Sequence, residues 1–105
     1  MEFIETEIFT KRIQEIITDE SYRNLQAELI KRPDAGDLIP GARGLRKLRW
    51  SVGSKGKRGG LRIIYYLVLR EQQIYMIYPF RKSDQEDLTR DQLKVLVKYV
   101  KGGVL

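Results

Sequence analysis

Apolar positions along this 105-residue chain change their period several times, and each change marks an element. Residues 1–6 (MEFIET) alternate in part and read as a strand. Phe9, Ile13, Ile16 and Ile17 then recur at i, i+4, i+7 and i+8, the apolar stripe of a helix. Thr18-Asp19-Glu20 interrupts the stripe and supplies a cap and an acidic first turn for a second helix. That helix carries Tyr22, Leu25 and Leu29 on one face and stops before Pro33. Two short helices in succession predict a helical hairpin.

Residues 34–44, with Pro40 and three glycines, read as a loop. Residues 45–50 follow as a strand, Leu48 and Trp50 pointing one way and Lys47 and Arg49 the other. Residues 51–60 (SVGSKGKRGG) are too rich in glycine and charge for a regular element and read as a flexible connection. Residues 61–69 are β-branched and aromatic and apolar on both faces apart from Arg62, which predicts a central strand covered on both sides. After a turn at Arg70-Glu71-Gln72, residues 74–80 return as an antiparallel strand; Pro79 cannot donate to a ladder and marks its end or an edge. Residues 81–88 form a polar connection, Thr89 and Gln92 fit a capping box, and Leu93, Leu96, Val97 and Val100 line a final helix ended by Gly102-Gly103. The order β-α-α-β-β-β-α predicts an α+β fold. It comprises a small, mostly antiparallel sheet with an N-terminal helical hairpin and a C-terminal helix, in a single domain spanning 1–105.

Charge changes the picture. Between Asp37 and Glu71 there is no acid, yet Arg43, Arg46, Lys47, Arg49, Lys55, Lys57, Arg58, Arg62 and Arg70 all fall there, in a chain whose net charge is only +6. Six of the nine glycines share that stretch and bring backbone amides close to whatever the cations attract. Segregated positive charge of this kind points to a polyanion, with nucleic acid foremost.

What is missing narrows the chemistry further. Neither cysteine nor histidine occurs, which excludes disulfides, thiolate chemistry and any triad built on His. A metal site would have to rest on scattered carboxylates, so no metal and no cofactor are expected. No apolar run approaches the roughly 20 residues that span a bilayer, and no secretory leader is evident; a soluble cytoplasmic protein without membrane contact is expected.

Three groups of cations are expected to converge. Lys55, Lys57 and Arg58 sit on the glycine-rich connection, Arg62 opens the central strand just after it, and Arg81 and Lys82 follow the end of the neighbouring antiparallel strand. Tyr78 and Phe80 lie nearby as stacking surfaces. Taken singly, most such cations are solvated surface charge, but Arg62 differs, because burying an unpaired guanidinium is costly. Either it pairs with an acid such as Asp84, or it lies at a mouth that an anion can reach. SKGKRGG is only compositionally like a phosphate-binding loop and lacks the GxxxxGK[ST] spacing.

GLRKLRW (44–50), SKGKRGGLRIIYYLVL (54–69) and IYPFRKSDQEDLT (77–89) together resemble the RelE/ParE superfamily of bacterial toxins, and most of all its HigB-like branch. The most specific run is KGKRGGxRIIYY; the K-x-x-x-x-DL ending from Lys82 to Leu88 is less so. The resemblance implies a RelE-like toxin fold and a ribosome-dependent mRNA interferase that cuts A-site codons. It also implies a cognate antitoxin of helix-turn-helix, HigA-like type, through which the pair would reach operator DNA. The family's loop lysine falls on Lys57, its central-strand arginine on Arg62, and the lysine before its last helix on Lys82. Lys55, Arg58, Arg81, Arg46, Lys47, Tyr78 and Phe80 complete the expected RNA-binding set. Several relatives carry a tyrosine or histidine near the final helix; Leu88 stands in that neighbourhood here.

RNA brings its own nucleophile, the 2′-hydroxyl. Arg62 suits the phosphorane, since a guanidinium can hold two phosphate oxygens and keeps its charge. A lysine with the usual pKa of about 10.4 is a poor base at neutral pH, but neighbouring cations disfavour its charged form. Lys57 is the expected base and Lys82 or Arg81 the acid or electrostatic support, with the reverse assignment open. Two other readings compete: a ParE-like inhibitor of DNA gyrase, and a nucleic-acid-binding module without catalysis.

Overall fold

The computed structural model describes residues 1–51 and 60–101. Strand β1 (Glu2–Glu5) is followed by helices α1 (Glu7–Ile16) and α2 (Asp19–Lys31). A two-residue strand β2 (Asp37–Leu38) precedes β3 (Leu45–Trp50) and β4 (Leu61–Val68). Strand β5 (Gln73–Arg81) and helix α3 (Arg90–Lys101) complete the described elements. The five strands form one sheet in the order β1-β5-β4-β3-β2, with β1 parallel to β5 and every other pair antiparallel. The expected α+β fold with a mostly antiparallel sheet is therefore present, and β4 lies at its centre. No helix among the described residues is long and apolar enough to cross a membrane.

Alternation along β4 divides the interior in two. Leu61, Ile63 and Tyr65 join Phe9 and Ile13 of α1 and Leu25 and Leu29 of α2 on one face. Ile64 joins Ile77, Phe80, Leu45 and Leu96 of α3 on the other. Each helix starts on the cap its sequence offers. Thr18 Oγ1 accepts from the Ser21 amide at 3.1 Å, with Asp19 and Glu20 in the first turn of α2. Thr89 and Gln92 exchange two bonds of 3.0 Å, the expected capping box.

Thr6 joins β1 to α1 and is almost fully buried. Its amide continues the β1 ladder to the Met76 carbonyl, and its hydroxyl caps α1 by accepting from the Phe9 amide. The same hydroxyl donates at 2.8 Å to the carbonyl of Ile77, the residue bulged out of the β4–β5 register. One residue thus closes the strand ladder, caps the helix and satisfies the carbonyl at the bulge. Next to it, Glu5 accepts at 2.6 Å from both Thr10 and Tyr22, tying β1 to both N-terminal helices. Burial, with the adjacent Glu5 carboxylate, pushes the Tyr22 phenol well above its usual range.

Four features refine or go beyond the sequence reading, each for a physical reason. The loop at 34–44 contains β2, whose Asp37 and Leu38 are both exposed and carry no apolar alternation; only their register with Lys47 and Arg46 defines it. The turn after β4 is a 3-10 turn at Leu69–Glu71, closed by Gln72 in a left-handed conformation (φ 54°). β1 pairs with β5 across the chain, a partner no local pattern announces. Pro79 lies inside β5, where the strand runs past β1 and forms the sheet's edge, the second of the two placements expected for it. Its carbonyl points outward, where it accepts from Arg12 Nε at 3.0 Å. The ring nitrogen, on the same edge of an antiparallel strand, therefore leaves no ladder bond unmade.

Candidate nucleic-acid interface

β3 and β4 flank the glycine-rich connection and pair from its base: Trp50 with Leu61, Arg49 with Arg62, Leu48 with Ile63, Lys47 with Ile64. Leu48 and Trp50 pack with the α1/α2 cluster, so Lys47 and Arg49 share the α3 face with Arg62, as the alternation predicted. On the other side of Arg62 stands Phe80, and the Lys82 amide donates at 2.9 Å to the Gly60 carbonyl. The backbone thus brings Arg49, Arg62 and the 80–82 segment to one end of the sheet.

Arg62 is only 9% exposed. Its guanidinium makes one long hydrogen bond, 3.4 Å to the carbonyl of Leu61, and among the described residues no carboxylate pairs with it. Residues 52–59 contribute no acid either, since none occurs in that part of the sequence. Directly opposite is a second cation, Arg49, with Cβ atoms about 5 Å apart in such a pair; like charges so placed repel. A phosphate between them would convert that repulsion into two charge-assisted contacts.

One carboxylate approaches this cluster, Asp87, in the connection before α3. It accepts from Lys47 Nζ at 3.1 Å through both oxygens and from the Leu88 amide at 2.8 Å. Partial burial raises its pKa, but the Leu88 amide, Lys47 and the field of Arg62 outweigh it and hold the carboxyl below its ordinary value. Lys47 is therefore engaged with Asp87, and Asp84, the acid expected beside Arg62, pairs instead with Arg81 at 3.6 Å.

The other expected residues separate. Arg81 pairs with Leu61, on the α1/α2 face, and its Nη2 donates at 3.1 Å to the Glu15 carbonyl in the last turn of α1. There a cation complements the helix terminus, away from the Arg62 face. Arg46 also lies on the α1/α2 face and holds the Gly36 carbonyl at 2.8 Å. Phe80 is fully buried beneath α3, so its ring offers no face to a base, contrary to the sequence reading. Tyr78 is half-buried, with Arg12 stacked 4.8 Å above its ring. Lys82 is exposed. Lys55, Lys57 and Arg58 lie outside the described residues.

Two residues at this end of the sheet, Arg49 and Asp87, were not singled out from sequence. Treating residues 51–60 as a hairpin connection would have placed Arg49 across from Arg62. Asp87 carried no signal, as one acid among several in a polar segment.

No protein-family model matches the chain. Among solved structures, the chain is similar to the E. coli toxin RelE, in a double arginine-to-alanine mutant in the free state, with a TM-score of 0.59 at 15% identity. The match covers 81% of this chain and 86% of that one. At that identity the likeness is one of architecture: the chain has a RelE-like fold.

Proposed function

We propose that this chain is the toxin of a type II toxin–antitoxin pair, a ribosome-dependent mRNA interferase of the HigB-like branch acting in the cytoplasm. The observation that carries the reading is Arg62. It is a buried guanidinium without an acid partner among the described residues, facing Arg49 at the base of a basic, glycine-rich connection on a RelE-like fold.

In this reading the scissile phosphate of an A-site codon lies against Arg62, which binds two of its oxygens and gains most as charge builds on the phosphorane. The 2′-oxygen attacks phosphorus as the bond to the 5′-oxygen breaks, leaving a 2′,3′-cyclic phosphate and a free 5′-hydroxyl. Lys57 takes the proton from the 2′-hydroxyl and Lys82 supplies one to the 5′-oxygen, or the reverse. Lys55, Arg58 and Arg49 bind flanking phosphates. No step needs a metal. The ribosome contributes orientation, which can be worth several kcal/mol. The cognate antitoxin, of HigA-like helix-turn-helix type, silences the site and carries the pair to operator DNA.

Mapping mRNA 5′ ends after brief expression tests the proposal. Codon-phased cuts within reading frames, abolished by Arg62→Ala, are the expected result. Intact message with DNA breaks would identify a gyrase inhibitor, and intact message without them a binding module; either would overturn it.

A further inference from the structure

Helix α3 carries a second feature that RNA cleavage does not use. Arg90, Lys94 and Lys98 recur at i, i+4 and i+8 and form one ridge along the helix, all exposed. None of the ion pairs among the described residues involves them. The ridge borders a groove of about 470 Å3 whose floor is the half-buried Leu93 and Val97 and whose far wall is Gly41. Gly41 has φ +71° and open space where a side chain would stand. Among the described residues no acid lines the groove; Asp91 belongs to the opposite flank of α3, beside Ile8 and Tyr78.

We infer that this groove docks an acidic, amphipathic helical segment of a protein partner. Arg90 to Lys98 spans about 12 Å of helix, the reach of two turns in a docked segment with acids at matching spacing. Aliphatic side chains of that segment would cover Leu93 and Val97, and its carboxylates would meet the three cations. Nucleic acid fits less well. A phosphate backbone would use the ridge but leave the apolar floor in water, and no aromatic ring lines the groove for a base to stack on. The groove is separate from the Arg62 cluster, so the inference stands apart from the ribonuclease reading. Within that reading, the partner would be the antitoxin.

The test uses the full chain and three labelled probes: a helical peptide of about 16 residues, some 24 Å long, with glutamates along one flank and leucines beside them; the same peptide with serine for leucine; and a single-stranded RNA. The first should bind, shifting the backbone amide resonances of Gly41, Leu93 and Val97. Serine for leucine, or Lys94→Glu with Lys98→Glu in the chain, should weaken binding by about tenfold, roughly 1.4 kcal/mol. The double variant should still cut mRNA, and Arg62→Ala should still bind the peptide, which separates this inference from the activity. Absence of peptide binding, equal binding to the double variant, or the same resonances shifting only with RNA would overturn it.

Discussion

Arg49 and Arg62 face each other directly across β3 and β4, the second of them buried, and no carboxylate pairs with either among the described residues. Two cations so placed oppose folding, and under the proposed function a phosphate between them would offset that cost.

Replacing Arg62 should therefore separate stability from activity. Arg62→Met keeps the apolar stem, removes the repulsion and should leave the protein as stable as the parent or about 1 kcal/mol more so, read by urea unfolding. Cleavage, read as mRNA 5′ ends, should fall by about 10²-fold or more. Marked destabilisation by methionine would mean that the guanidinium supports the fold.

Thr6 joins a strand end, a helix cap and a bulge. Thr6→Val, close in shape, should cost about 1–2 kcal/mol in denaturant unfolding, whereas Thr6→Ser should recover most of it. Equal behaviour of the two variants would show that volume, and not the hydroxyl, matters there.

Asp87 should titrate below the ordinary aspartate value of 3.8 in carbon-detected NMR, and Lys47→Ala should move it upward. A carboxyl with a lowered folded-state pKa adds stability that is present above its unfolded value and fades as pH falls through the folded one. The Lys47–Asp87 tether between β3 and the start of α3 should accordingly loosen only in acid, with amide exchange around Leu88 rising below about pH 4.

Gly36 lies against Tyr65. A Cβ there would come within 2.7 Å of the Tyr65 ring and 3.1 Å of the Lys47 backbone, so Gly36→Ala should destabilise by about 1–3 kcal/mol. Tyr65→Phe should cost a comparable amount, because its hydroxyl donates to Pro33 O at 2.7 Å and accepts from Gly36 N at 2.9 Å. Calorimetric unfolding of each variant would measure both.

What the sequence displayed was what periodicity and caps encode. The three helices, β3, β4 and β5 lie within a few residues of where apolar spacing put them, and Thr18 and Thr89 cap as expected. Hidden features depend on contacts between distant segments. Asp37 and Leu38 became a strand only through Arg46 and Lys47, and Ile77 bulged where β1 gives way to α1. In the candidate site, Arg62 stood out as the one charge on an apolar strand. Burial of Phe80 needed knowledge of what α3 covers, and the diversion of Arg81 to the Glu15 carbonyl needed the position of α1. Consecutive cations, Arg81 and Lys82, look equivalent in a row of letters, yet the structure gives the first a helix terminus to serve.

The parallel pairing of β1 with β5 also has a temporal side. Residues 2–5 hydrogen-bond to partners some 71 positions onward, so during synthesis they wait, unpaired, until residues 73–76 have left the ribosome. Closure of so long a loop comes late, after local helices and the β4–β5 hairpin have formed. A nascent chain would thus assemble its cation-bearing hairpin before its first strand locks the sheet's outer edge.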